Sequence, residues 1–416
     1  MDIRKIAPLA TSTAADGAAA VDQLDGTGIR QSAGTGSKRN RIMLQRAMDF
    51  RTRKLLGSEY LFCEKNTSSM EFLEKLIAAF KSGHPLPRDE NRLRIAIAHP
   101  RSYFGEGECA FQMMNALNSC GCDCIVLAPN CAYKMHNAIR AANPDVFLSL
   151  TVGIPPQNGS GIVSVMRIPA SFDDGKCKTP ALYENFIYCT ANLDQVFNVF
   201  QSENLDCSKI RSMRTNLSVC ATEFCDSDKK TLLYCGVNWD WRRKVHHAPL
   251  YDLLDKTGYF AIYGPKKTWG KKKLKSYRGE AARDGNELLE KLKEAGVALV
   301  LHSDDHINSG AHSSRIFEAA AASCVIISDR HPFAMKTFGN SIFYVDQNAS
   351  PAEMFRQIDG HMRWILANQE EAKEMAQRSH EIFMENFTME SEMEKLKQFL
   401  EELIEERKKS AQTAVA

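Results

Sequence analysis

Long apolar runs are what this 416-residue chain most clearly lacks. None approaches the roughly 18–20 residues that a membrane-crossing helix needs. The opening stretch, "MDIRKIAPLATSTAADG", has no apolar block long enough for a secretory signal. Charge of one sign is equally scarce in excess: 53 Lys and Arg face 51 Asp and Glu, for a net charge of +2. That excludes a chain-wide polycation, so any basic partner surface must be local. The thirteen cysteines are an odd number spread over a large chain, which predicts free thiols in a reducing cytosol. "CGCDC" (Cys120, Cys122, Cys124) lacks the Cys-x2-Cys spacing of a zinc site, and its alternation suits buried structural thiols at a strand entrance. Asn386-Phe387-Thr388 has the glycosylation spacing, which means little in a cytosolic chain. No short internal repeat is visible.

What is present is the composition of an ordinary soluble protein, 44% hydrophobic and 25% charged, long enough for two domains with their own cores. Residues 1–38, rich in Ala, Gly, Ser and Thr, read as a disordered tail, and 39–90 as a helical extension in which Gly83 caps a helix. From 91 the texture changes. "RLRIAIAHP" (92–100), "DCIVLAP" (123–129) and "PDVFLSLTV" (144–152) are apolar runs separated by helical segments. Strands without polar alternation, joined through helices, predict a parallel sheet covered on both faces.

A polar stretch at 205–228 is the expected interdomain connection, and the alternation then restarts. Strands are predicted at 231–237, 259–264, 297–303, 324–329 and 341–346, with helices at about 246–257, 285–295 and 314–323. The chain beyond 350 reads as helical. The domains expected are 91–228 and 229–386, with 387–416 a C-terminal helix and tail. The fold class is α/β: two Rossmann-like, doubly wound domains facing a cleft, where the strands' C-terminal ends bind ligand.

The densest signal is "HSSRIFEAAAASCVIISD" (312–329). A serine, Ser313 or Ser314, is placed to cap the helix, but three residues on from them stand Ile316 and Phe317, so Glu318 is too late for a capping box. The alanines 319–322 let the helix pack close to a sheet, and its amides then suit an anion. A carboxylate one turn in suits a sugar hydroxyl pair, so phosphates at the helix start and a ribose at Glu318 would fit a nucleotide diphosphate.

This segment resembles the donor-binding region of glycosyltransferases of the two-Rossmann-domain (GT-B) type, in the group 1, spore-maturation-like branch with a family 4-like C-terminal domain. "LLYCGVNWDWRR", "YFAIYGPKKTW" and "ELLEKLKEAGVALVLHS" follow that domain's order and spacing, and 350–388 is similar to its closing helices. The convincing coverage is 229–400; residues 92–152 fit the acceptor-side domain more loosely. The resemblance implies that Glu318 holds the donor ribose and that Ser313, Ser314 and Arg315, with His312 beside them, hold the diphosphate. The family's Glu-x7-Glu pattern would put a glutamate at position 310, where this chain has Gly310. His302, Asp305 and His312 are then candidates to face the sugar.

Arg242 and Arg243 lie about where the family sets cations against the diphosphate, after Gly236 at the end of a strand. "GPKKTWGKKKLKSYR" (264–278) carries seven Lys and Arg and no acid. It offers Lys266 or Lys267 to the phosphates, or the whole Lys266–Arg278 patch to an anionic membrane surface. Nucleic acid is not expected, since only Trp269 and Tyr277 interleave the lysines. "HSDDH" (302–306) spaces its histidines as His-x3-His but comes straight after a strand rather than on a helix, so a metal site is not expected, nor any cofactor beyond the nucleotide-sugar itself. In the first domain, Gly105 and Gly107 predict a loop approaching the acceptor side, with Glu106 and Glu108 as general bases if the reaction inverts. The expected function is cytoplasmic transfer of a sugar from a nucleotide-diphosphate-sugar to a carbohydrate, lipid-linked or protein acceptor, with peripheral contact at the inner membrane face as an option. Two alternatives share the fold: a catalytically silent nucleotide-sugar-binding scaffold and a sugar-nucleotide epimerase.

Overall fold

A computed structural model describes residues 61–62, 75–76, 78–79, 82–98, 104–127, 138–157, 161–168, 179–189, 193–238, 240–270, 273–281 and 286–415. The expected tail, most of the expected helical extension, the 99–103 loop and two patch lysines, Lys271 and Lys272, lie outside these residues. Gly83 does take a left-handed φ of 74°, as a helix cap requires.

The first domain is a seven-stranded sheet in the order β1-β3-β2-β4-β5-β6-β7. Its strands are β1 (Leu61–Phe62), β2 (Arg94–Ala98), β3 (Asp123–Leu127), β4 (Val146–Ser149), β5 (Val163–Ile168), β6 (Asn185–Tyr188) and β7 (Arg211–Arg214). All pair in parallel except β1, which runs antiparallel to β3. The second sheet is wholly parallel, in the order β12-β11-β10-β8-β9. It comprises β8 (Thr231–Cys235), β9 (Phe260–Tyr263), β10 (Gly296–Val300), β11 (Val325–Asp329) and β12 (Phe343–Val345). Every residue of β2, β10 and β11 is buried, as strands covered on both faces must be. The predicted fold class is therefore observed: two doubly wound α/β domains. In each sheet the chain reverses its winding direction, between β2 and β4 and between β8 and β10. A ligand-binding crevice forms outside the strand C-termini at such points.

Two expectations are corrected. The polar stretch 205–228 is not all connection, because Arg211–Arg214 forms β7 at the open edge of the first sheet. An edge strand has one neighbour and one solvated side, so its residues are only partly buried and its sequence looks like linker. Nor is "GEGE" a loop. The helix already starts at Phe104 and runs to Ser119, so Gly105, Glu106, Gly107 and Glu108 occupy its first turns.

The last helix, Met389–Val415, returns to the first domain. Met389, Met393, Leu396, Leu400 and Leu403 join Met113, Met114 and Leu117 of the Phe104–Ser119 helix in one buried cluster. Cys122 and Cys124 sit in the same core, and burial raises the Cys122 thiol to about 12. The buried-thiol reading of "CGCDC" thus holds for these two. Ten cysteines among the described residues are free thiols. No described helix is long and apolar enough to cross a membrane.

Candidate functional site

The winding reversal of the second sheet brings the ends of β8, β10 and β11 together, and most of the predicted donor residues are found there. After β8 the chain turns at Gly236, where a Cβ would meet the Tyr234 hydroxyl at 2.8 Å. Glycine is needed here for close approach. The Gly236 carbonyl accepts a 2.8 Å hydrogen bond from Trp269 Nε1. Trp269 is wholly buried, and Tyr277 donates to the Gly264 carbonyl at 3.0 Å. Neither aromatic of the lysine-rich stretch is therefore presented to a partner.

The next turn, Arg242–His246, is wound one residue wider than an α-helix. Arg242 Nε donates to Asp304 Oδ1 at 2.7 Å and its Nη1 to the Gln347 carbonyl at 3.1 Å. Arg243, buried, pairs with Asp240 at 3.1 Å and donates to the Val237 carbonyl at 3.2 Å. Each guanidinium carries five donors, so both keep donors beyond these bonds. Lys266 is exposed on a one-turn helix, Lys266–Trp269; its backbone amide donates to Glu280 at 2.7 Å, and its ammonium has no partner among the described residues. The predicted phosphate-contacting cations thus separate into two anchored arginines and a solvated lysine.

His302 follows β10 and is fully buried. Asp329, the last residue of β11, takes both its backbone amide (2.7 Å) and its Nδ1 (2.6 Å). Burial acts to raise the Asp329 carboxyl, but the charge and hydrogen bonds of His302 outweigh it and leave its pKa lowered. Asp329 is therefore the acceptor and Nδ1 the donor, which leaves Nε2 of His302 with no partner among the described residues. His331 stacks on this ring at 4.1 Å between centroids, and His306 meets it edge-on at 5.9 Å. His306 closes a capping box with Ser303 at the start of the Asp304–Ser309 helix. Gly310 ends that helix with φ 67°, and a Cβ there would meet nothing within 4 Å. The glycine standing in the family's glutamate position serves chain reversal there.

The Arg315–Ala321 helix packs as its alanines predict, with Ile316–Ala322 all buried. Ser314 stands at the N-cap but makes no side-chain cap bond; Ser313 Oγ instead accepts from the Arg315 amide at 3.4 Å. Glu318, 3% exposed, forms an ion pair with Arg315 and lines a small pocket with Cys109 and Gln112 of the first domain. His312, also buried, stacks on Phe333 at 4.1 Å. The structure thus assembles Gly236, Arg242, Arg243 and His302 around one set of strand ends, and His312, Ser313, Ser314, Arg315 and Glu318 at the neighbouring helix start. Glu106, Glu108, Gly105 and Gly107 lie on the first-domain helix, and the Glu106 and Glu108 side chains fall outside the described residues.

Burial first, then mutual repulsion, depresses the imidazoles: His247 to about 4, His306 and His312 to about 3, and His331 in the same direction. These four rings are neutral at physiological pH, so the fixed positive charge is that of Arg242, Arg243 and Arg315. Each of the three is matched by a carboxylate. Among the described residues no three His, Cys, Asp or Glu side chains converge as metal ligands do.

Three participants were not singled out from sequence, Asp329, His331 and Asp240, and Asp304 was considered only as a metal ligand. The available signal was position, since each polar residue ends a parallel strand or lies in the turn beyond it.

The family profile described as "Glycosyl transferase-like" matches residues 242–398. No curated protein matches the chain in sequence. Among solved structures, a glycosyltransferase from Rickettsia africae is similar at 13% identity and a TM-score of 0.46, over 76% of this chain and 99% of that one. HepE from Anabaena, in complex with UDP-glucose, gives 11%, 0.48, 75% and 100%. Sucrose-phosphate synthase from Thermosynechococcus elongatus gives 10%, 0.49, 75% and 99%. From its arginine turn to its closing helices, the second half of this chain is thus similar to the glycosyl transferase-like family.

Proposed function

We propose that the protein transfers a sugar from a nucleotide-diphosphate-sugar to an acceptor hydroxyl, with the donor held at the ends of β8, β10 and β11. The observation that carries this is the pair Arg242 and Arg243, anchored by Asp304 and Asp240 at the winding reversal, inside the segment that matches the family. Anchored guanidinium groups suit a leaving diphosphate because their orientation is set before the charge develops. In this reading the arginines supply that charge stabilisation and no metal is needed. Glu318 accepts from the ribose hydroxyls, and its ion pair with Arg315 turns the carboxylate to one side. His302, held by Asp329, offers Nε2 as the hydrogen-bond partner of the sugar once its burying neighbours move. The first domain brings the acceptor, and closure of the domains excludes the water that would hydrolyse the donor. If the sugar centre inverts, Glu106 and Glu108 are the candidates to deprotonate the acceptor.

The test is a calorimetric and thermal-shift screen against UDP, GDP, CMP, ADP and dTDP and their common sugars, with and without a chelator. One nucleotide family is expected to stabilise the protein saturably, with or without the chelator. Glu318→Ala is expected to weaken that nucleotide at least tenfold while the melting temperature of the free protein moves little. Unchanged affinity in the variant removes Glu318 from the site. Failure of every nucleotide to bind removes the function proposed.

A further inference from the structure

The outer edge of the second sheet carries a charge that the chain as a whole does not. Beyond β9 the chain forms the one-turn helix Lys266–Trp269 and then comes back along the same strand. There the Ile262 amide donates to the Ser276 carbonyl and its carbonyl accepts from the Arg278 amide, both at 2.9 Å. This strap lies beside the arginine turn and the Ala248–Leu254 helix that follows it. Trp269 meets Tyr251 of that helix edge-on at 5.1 Å. Asp255, just past the helix, accepts the Ser276 amide at 2.7 Å and the Lys275 amide at 3.2 Å. Helix and strap are therefore tied at both ends into one face.

Lys244, Lys266, Lys267, Lys273, Lys275 and Arg278 are exposed on it, and none forms an ion pair among the described residues. On the next helix, Glu287–Ala295, Lys291 and Lys293 each pair with a glutamate one turn away. The exposed acids of the helix and strap are Asp252 and Glu280, and Glu280 already accepts the Lys266 amide at 2.7 Å. Against a net charge of +2 for the whole chain, this concentration is local.

Apolar surface lies in the same place. Trp241 is 62% exposed and Val245 53%, and with exposed Pro249 they recur every four residues down the turn and helix. Lysines that only guard an open sheet edge need no exposed tryptophan beside them. A polyanion such as a nucleic acid would meet the cations and leave Val245 and Pro249 unused. An anionic bilayer uses both: its headgroups take the ammonium groups, and an indole settles at the headgroup level. We propose that this face docks the protein on a membrane surface rich in anionic lipid, with Trp241 and Val245 entering the headgroup layer. The inference stands on this face alone and does not depend on the transferase reading.

The test is co-sedimentation of the full chain with vesicles of equimolar phosphatidylglycerol and phosphatidylcholine, against phosphatidylcholine alone. Binding is expected to the anionic vesicles only, and to weaken as salt is raised. One cation near such a surface is worth roughly fivefold in affinity, so Lys267→Glu, Lys273→Glu and Lys275→Glu combined are expected to cost on the order of a hundredfold or more. Lys209→Glu, Lys336→Glu and Lys409→Glu combined make the same change in net charge at exposed lysines elsewhere, and are expected to cost less than about fivefold. Both triple variants are expected to keep the wild-type melting temperature. Brominated acyl chains are expected to quench tryptophan emission in the bound protein, and Trp241→Phe to remove most of that quenching. No binding to the anionic vesicles, equal losses in the two triple variants, or quenching that is absent or survives Trp241→Phe overturns the inference. So does tighter binding of polyuridylate or polyglutamate through the same three lysines, which assigns a nucleic acid or an acidic protein instead.

Discussion

The two sheets share one winding order yet finish their C-terminal edges differently. In the second sheet, strand ends are tied to each other: Arg242 to Asp304, and His302 to Asp329, with histidines packed ring against ring. In the first, Arg214 has no hydrogen bond or ion pair among the described residues, and its neighbours Thr215 and Asn216 hold only Glu392 of the distant C-terminal helix. A tied edge holds charge in a fixed geometry at a cost in stability whenever a tie is cut. A loose edge tolerates substitution and adapts to what enters. The same fold thus carries a rigid wall and an adaptable one.

Acid should expose this contrast most strongly. His247, His306 and His312 stay neutral in the folded protein down to about pH 4, 3 and 3, whereas an unfolded histidine takes its proton near 6.5. The unfolded state therefore binds more protons below pH 6.5. Stability from these groups is complete above that pH and falls as pH drops toward the folded values. The slope is about 1.4 kcal/mol per pH unit for each histidine, or about 4 kcal/mol for the three. Urea unfolding at pH 7.5, 6.0 and 5.0 should show it, and His312→Phe, which keeps the ring stack on Phe333, should remove about a third of the slope. A flat profile would mean the rings are not buried neutral.

Next in size is Asp329→Ala, which strands a buried amide and a buried imidazole. A loss of about 3–5 kcal/mol in chemical denaturation is expected. Gly264→Ala should follow at about 2 kcal/mol, because its Cβ would lie 2.4 Å from the Gly236 carbonyl oxygen and 2.7 Å from Trp269 Nε1. On the first sheet's edge, a Cβ at Gly153 would meet nothing within 4 Å, so Gly153→Ala should be nearly silent in the same assay. Smallest is Arg214→Ala, expected within about 0.5 kcal/mol of the wild type, since it cuts no tie. A large loss there would erase the distinction between the edges.

Much of the fold was legible because parallel strands buried on both faces leave unbroken apolar runs, as "VALVLHS" and "CVIISD" do. The strands that escaped were β1, β5, β6 and β7; β6 and β7 are only four residues long, and β7 reads "RSMR" because it lies on an open edge. The arginines of the site were legible from their place just after a strand. Their partners were not, because Arg242 and Asp304 stand 62 residues apart and only the sheet order brings them together. His302 was legible as a polar residue in the crevice, but not that Asp329 would hold it at zero exposure. The heptad-like spacing of Met389, Met393, Leu396, Leu400 and Leu403 showed an apolar face without saying which domain it covers.

That last helix has a consequence for how the protein is made. The core of the first domain is walled by residues 389–403, which leave the ribosome only after the entire second domain has been synthesised. The domain that is born first is therefore finished last, and until then its Phe104–Ser119 helix presents an uncovered apolar flank to the cell.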